Sequence, residues 1–256
     1  MHRRTFSRKT LGIPYAIFLL LFVAMPLLVL VYYAFTNGLG FFTNPNTLGT
    51  LFYSFGVAIV TTVVCLLLAY PTAYILAISK WKSKMVILLL FVMPMWINFT
   101  LRITALKEIL TVLEGNLALH PFLNSVIGMT YDFLPFMILP MYTTLMKLDT
   151  SLIEAAGDLG ANPVQTFLKV TLPLSVPGII SGITMVFLPS MTNYVVLDML
   201  YNSTYIMGSL IGSYFASYDW HNGSMIALIL LLIILIFTLF TNKYSDEDEG
   251  RGGALI

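Results

Sequence analysis

The chain has 256 residues, 58% of them hydrophobic and 10% charged, and a formal net charge of +1. Soluble domains carry about 25% charged residues, so a bilayer is the expected solvent, and the near balance of charge excludes a broad basic surface for nucleic acid. One cysteine, Cys65, lies in an apolar run and excludes both a disulfide framework and a thiolate metal site.

The basic N-terminus MHRRTFSRKT leads into an apolar run from Ile13 to Phe35. That run is too long for the core of a signal peptide and lacks a small-x-small cleavage site, so it is expected to remain as a first span. Further apolar windows long enough to cross about 30 Å of hydrocarbon fall near 52–79, 85–106, 122–146, 174–198 and 222–241, with Arg102 entering the third span and Asp132 lying in the fourth. The reading is therefore six transmembrane helices in an all-α integral membrane protein, with residues 1–256 forming a single domain.

An N-terminus inside the cell places Arg3, Arg4, Arg8, Lys9, Lys80, Lys82, Lys84, Lys147, Lys169, Lys243 and Arg251 in the cytoplasm, leaving only Arg102 and Lys107 outside. Short-loop Lys and Arg resist translocation, so both termini are expected to be cytoplasmic. The acidic run at 245–249 reads as a solvated end.

The connection from Lys147 to Pro173 is far longer than the 2 to 8 residues that usually join helices of a bundle. Ser151-Leu152-Ile153-Glu154 reads as a capping box that starts a short helix, and Gly160 is suited to stop it in the left-handed conformation. Asn162, Pro163 and Gln165 supply a second N-cap, first helical residue and capping-box partner, with Pro173 expected to end the segment. Leu152, Ile153, Ala155, Ala156 and Leu159 make the first helix apolar over much of its surface. A helix this short needs a groove to lie in, either on a cytoplasmic partner or on the underside of its own bundle.

Glu154-Ala155-Ala156, three residues, Gly160, nine residues and Val170-Thr171-Leu172-Pro173 resemble the EAA motif of ABC importer permeases. The resemblance extends through Pro94-Met95-Trp96 to Arg102 and through the run from Leu134 to Pro140, and is greatest to the permeases of polyamine (spermidine/putrescine) importers. It implies the type I importer permease fold, a bacterial inner-membrane location and alternating access. It also implies coupling helices at 151–170 that dock on a separate ATPase through Ser151, Glu154, Ala155, Ala156, Leu159, Gly160, Pro163 and Phe167. The implied partners are two copies of that ATPase, which would hold ATP and Mg, a second homologous permease and an extracytoplasmic polyamine-binding protein. No cofactor or metal is expected on this chain.

A polyamine path through oil must replace the hydration of ammonium groups with carboxylates, carbonyl dipoles and aromatic faces. Asp132, about mid-membrane and preceded by Tyr131, is the leading candidate, because a charge there is costly and is functional by default; a helix-fixing ion pair is the competing role. Tyr194 and Asp198, and Trp96 and Asn98 in the PMWINFTLR stretch, are the other candidates for the path. Arg102 would repel a polyamine unless paired, and its expected partner is Glu108, Asp198 or an acid of a partner subunit.

The sequence lacks a G-x-x-x-x-G-K-[ST] loop, so ATP hydrolysis of that kind belongs elsewhere. His2, His120 and His221 are scattered and form no H-E-x-x-H pair, which argues against a membrane enzyme. A permease for another small solute, such as thiamine, sulfate or iron, and a secondary transporter stand as alternatives.

Overall fold

The computed structural model describes residues 8–36, 45–79, 81–201 and 206–252. Arg3, Arg4 and Lys80, part of the expected cytoplasmic charge, lie outside the described residues. Among those described there is no β-strand.

α1 (Arg8–Leu19) passes through a π-helical turn, Leu20–Ala24, into α2 (Met25–Phe35). Along Gly12–Phe35 nearly every side chain faces outward and Ala34 is buried, as expected of a helix whose neighbours are lipid or another subunit. α3 (Pro45–Ile78) is continuous through Pro71, although that residue removes the donor for the carbonyl of Leu67 and weakens the ladder there.

α4 (Lys84–Val92) tightens into a 3-10 turn, Met93–Trp96, with Pro94 at its start. Ile97 and Asn98 are extended, with ψ of 144° and 129°. The chain then enters α5 (Phe99–Glu114) at 101° to the preceding helix. The expected third span near 85–106 is therefore two helices with a break at 97–98. Gly115, at φ +76°, ends α5 and donates its N–H to Thr111 O at 2.8 Å, so helix also occupies much of the expected outer connection at 107–121.

α6 (Pro121–Met146) is the most buried of the long apolar helices. After it come α7 (Thr150–Asp158), α8 (Pro163–Thr166), a π-helical turn at Phe167–Thr171, and α9 (Leu172–Leu174). α10 (Val176–Thr192) leaves at 62° to the helix before it. Pro173 was expected to end the segment but lies within a helix that runs on from Pro163 to Leu174, where its missing N–H removes one ladder bond; the bend falls at Ser175 instead. Asn193, with ψ 75°, separates α10 from α11 (Tyr194–Leu200), so the expected fifth span at 174–198 is interrupted near its C-terminal end. α12 (Met207–Ala216) and α13 (Trp220–Gly252) complete the described chain. Among the described residues four helices are long and apolar enough to cross a membrane, and there are up to six spans when each bent pair counts as one.

Packing divides the chain into two compact units. One draws on Met1–Leu48 and Leu210–Ile233. In it Trp220 stacks at a tilt against Tyr33 and Phe215, with centroids 5.9 and 5.4 Å away, and the His221 ring lies 3.1 Å from Tyr33 O. The other draws on Gly49–Ser209 and Ile234–Ile256. Its core joins Val57, Cys65, Ala69 and Ala73 of α3 with Met129, Met137, Ile138 and Met141 of α6, Val186 of α10, and Val196, Leu197 and Leu200 of α11.

Two glycines set the spacing of α6 and α10. A Cβ at Gly182 would stand 2.5 Å from the Met137 sulfur, and one at Gly178 would stand 2.7 Å from Thr144 Oγ1 and 3.1 Å from Pro140 O. Apolar faces gain little by leaving lipid, so helix pairs in membranes depend on such close approach for their dispersion contacts.

Candidate functional site

Two features concentrate polar chemistry: a buried charge pair at the helix breaks, and the segment between α6 and α10.

In the first, Arg102 and Asp132 form a buried ion pair between α5 and α6. Arg102 Nη2 donates to Asp132 Oδ1, and Nη1 donates to Pro94 O at 3.1 Å. The second carboxylate oxygen accepts from Asn193 Nδ2 at 3.3 Å. The guanidinium carbon lies 5.9 Å from the ring centres of both Phe99 and Tyr131. One charge pair thus ties together three places where the backbone leaves regular helix or lacks a donor: the turn at Pro94, the start of α5 and the break at Asn193. The carbonyl of Pro94 accepts this bond in addition to one from Ile97 N–H at 3.2 Å, which closes the 3-10 turn. Arg102 Nε is buried without a partner.

The expected partner of Arg102 was Glu108, Asp198 or an acid of a partner subunit, and the structure pairs it with Asp132 instead. The bend at 97–98 turns the first turn of α5 against α6, whereas Glu108, six residues on, lies on a different face and is exposed. Asp198 is likewise exposed on α11.

Of the other candidates for a path, Trp96 is 74% exposed, and Tyr131 and Tyr194 are each 38% exposed. Tyr194 and Asp198, four residues apart on α11, share a face. Asn98 is the N-cap of α5, its Oδ1 accepting from Thr100 N at 2.9 Å. The structure brings Asp132, Tyr131 and Arg102 together with Asn193.

In the second feature, α7 begins two residues earlier than the capping-box reading with Ser151 as N-cap. Asp149 is the N-cap and its Oδ1 accepts from Ser151 N at 2.9 Å; a carboxylate competes better than a hydroxyl for a helix N-terminus because it also meets the positive end of the dipole. These hydrogen bonds from Ser151 hold the Asp149 carboxyl below its ordinary range. The helix stops as expected at Gly160, which has φ +83°. Gly160 N–H donates to Gly157 O at 2.9 Å and Ala161 N–H to Ala156 O at 3.0 Å, the paired closure of a Schellman end. Asn162 and Gln165 make the expected capping box, at 2.8 and 3.0 Å.

No residue of α7 is buried. Leu152, Ala155 and Leu159 lie at i, i+3 and i+7, so they form one stripe, and all three are exposed, Leu159 by 90%. Glu154 is exposed too, while Ile153 and Ala156 are half-buried. Phe167 differs from the expectation of a docking residue: it is half-buried, with its ring edge-on to Tyr70 and Tyr74 of α3 at 5.7 and 5.5 Å. Neither tyrosine stood out in the sequence, because each sits in an apolar run without a polar neighbour that would mark it.

Residues 4–243 match the family described as binding-protein-dependent transport system inner membrane component. The chain belongs to this family and is a multi-pass inner-membrane protein of the permease class. It is 35% identical to the spermidine/putrescine transport system permease protein PotB of Haemophilus influenzae, over 92% of this chain and 93% of that one. Its identity to the Escherichia coli protein of the same name is 34%, over 73% of this chain and 74% of that one. The fold is that of a solved permease chain from a bacterial ABC transporter involved in the import of the acidic polysaccharide alginate. The two share a TM-score of 0.71 and 16% identity, over 93% of this chain and 94% of the other.

Proposed function

We propose that this chain is one permease subunit of a spermidine/putrescine importer, forming half of the translocation path and driven by a separate ATPase. The observation that carries the coupling half of this reading is the exposed stripe of Leu152, Ala155 and Leu159 on a helix too short to stand alone. Its ends are fixed by Asp149 and Gly160, so the stripe is presented as a preformed surface. We assign Ser151, Glu154, Ala155, Ala156, Leu159, Gly160 and Pro163 to the ATPase contact. Both termini and this segment lie in the cytoplasm in this reading, in keeping with the distribution of Lys and Arg. Two ATPase copies hold ATP and Mg, a second permease supplies the opposite wall, and an extracytoplasmic binding protein delivers the cargo.

The polyamine reading is supported by relatives at 33 to 35% identity that bear that name. In the path, the faces of Trp96, Tyr131 and Tyr194 and the carboxylate of Asp198 meet ammonium groups. Asp132 is held by Arg102 in this conformation and contributes by keeping the bent helices in place. Closure of the ATPases reorients the bundle to the extent that nucleotide favours one form over the other.

The test is uptake of labelled spermidine into proteoliposomes containing the chain, co-expressed candidate ATPases and permease, and the binding protein. ATP-dependent uptake suppressed by excess putrescine is the expected result. Uptake suppressed instead by thiamine, sulfate or iron would overturn the cargo, and uptake that survives deletion of 151–170 would overturn the ATPase coupling.

A further inference from the structure

We infer that Tyr70 is a positioning residue that carries movement of the α7–α9 segment into α3, through one hydrogen bond to the bend at Ser175 and one aromatic contact to Phe167. The inference rests on the proposed ATPase coupling and adds to it the joint inside the membrane subunit.

The Tyr70 hydroxyl lies 2.8 Å from Ser175 Oγ, 105 residues away in the chain, and both residues are buried. Ser175 Oγ also donates to Leu172 O at 2.8 Å. A serine has one hydroxyl proton, so Tyr70 donates and Ser175 accepts. Ser175 is the residue between α9 and α10, where the axis turns by 62°. The same tyrosine ring meets Phe167 edge-on at 88°, and Tyr74, stacked 6.4 Å from Tyr70, meets it at 85°. Tyr70 therefore grips the segment on both sides of its last turn, upstream at Phe167 and downstream at Ser175.

Two local weaknesses make this a joint. Phe167 opens a π-helical turn, Phe167–Thr171, whose wider winding gives up the regular ladder. On the other side, Pro71 follows Tyr70 and removes a backbone bond from α3. The contact thus links a weakened stretch of each partner, and a push on α7 that turns the segment about Ser175 must either break the Tyr70 hydrogen bond or bend α3 with it.

The experiment compares wild type, Tyr70→Phe, Ser175→Ala and the double variant in the assembled transporter, measuring ATPase co-purification, thermal stability, ATP hydrolysis and polyamine uptake. The expected result is normal assembly and hydrolysis, with uptake per ATP lowered about fivefold in each single variant, the ratio one neutral hydrogen bond supplies, and lowered no further in the double variant. Uptake per ATP at the wild-type level in Tyr70→Phe would overturn the inference. So would a fall in uptake and hydrolysis in equal proportion together with lost thermal stability, the signature of a merely structural tyrosine. Should Tyr70→Phe fail to assemble, Ser175→Ala at wild-type uptake per ATP overturns it in the same way. Failure of the wild-type chain to co-purify with any ATPase would instead defeat the proposed function on which the inference stands.

Discussion

Arg102 and Asp132 neutralise each other inside the bundle, and the same guanidinium holds the carbonyl of Pro94 while the same carboxylate holds Asn193. A pair so placed is expected to matter less for net stability than for the geometry it selects, because desolvation offsets much of the attraction. Removing one partner leaves an uncompensated buried charge. Arg102→Leu or Asp132→Leu should each destabilise the purified chain by about 3–5 kcal/mol, read as a lowered melting temperature in detergent. The double Leu variant should recover most of that loss while altering the bend at 97–98, as reported by a spin-label distance across it.

The α7 stripe gives the second prediction. Leu159→Asp changes a side chain that touches little within this chain, so the melting temperature should stay within about 1 °C of wild type because exposed substitutions act weakly. ATPase co-purification should be lost. Retained co-purification would remove Leu159 from the contact.

Asp149 makes the start of α7 sensitive to acid. Its carboxyl titrates below the ordinary value because the protein donates to the charged form. Its contribution to α7 is therefore complete above the unfolded carboxylate range, about pH 4, and is lost as pH falls through the lower folded value. Hydrogen exchange across Thr150–Asp158 should speed up in that acid window. Asp149→Asn keeps an accepting oxygen and should abolish the pH dependence, while Asp149→Ala should exchange fast at every pH.

Gly178 and Gly182 yield a steric test. A methyl at Gly178 meets backbone at Pro140 as well as Thr144, whereas one at Gly182 meets the flexible end of Met137. Gly178→Ala should lower the melting temperature more than Gly182→Ala, with a cost of about 1–3 kcal/mol for the former.

The sequence made legible whatever rests on local chemistry. Apolar runs marked the helices, Gly160 marked a left-handed stop, and Asn162 with Gln165 marked a capping box, since each needs only neighbours a few residues away. The start of α7 was misplaced at Ser151, because Asp149, two residues earlier, is the better cap: its carboxylate also meets the positive end of the helix dipole. Long-range choices were hidden. Arg102 had three carboxylates within plausible reach, and the 101° bend that selects Asp132 depends on how Pro94 and Asn98 pack in three dimensions. Tyr70 and Ser175 carry no local sign of each other across 105 residues.

The wide turn at Phe167–Thr171 also constrains how this segment can vary in length. A π-helical turn is an α-helix that has taken in one surplus residue. Deleting a single residue between 168 and 170 would let the coil rewind to the ordinary pitch, four residues then sweeping about the same angle that five sweep now, so everything upstream keeps nearly its present bearing. Phe167 would still meet the two tyrosines and the α7 stripe would keep its direction, so the surplus residue is slack held in the joint, and its loss would stiffen the link without re-aiming it.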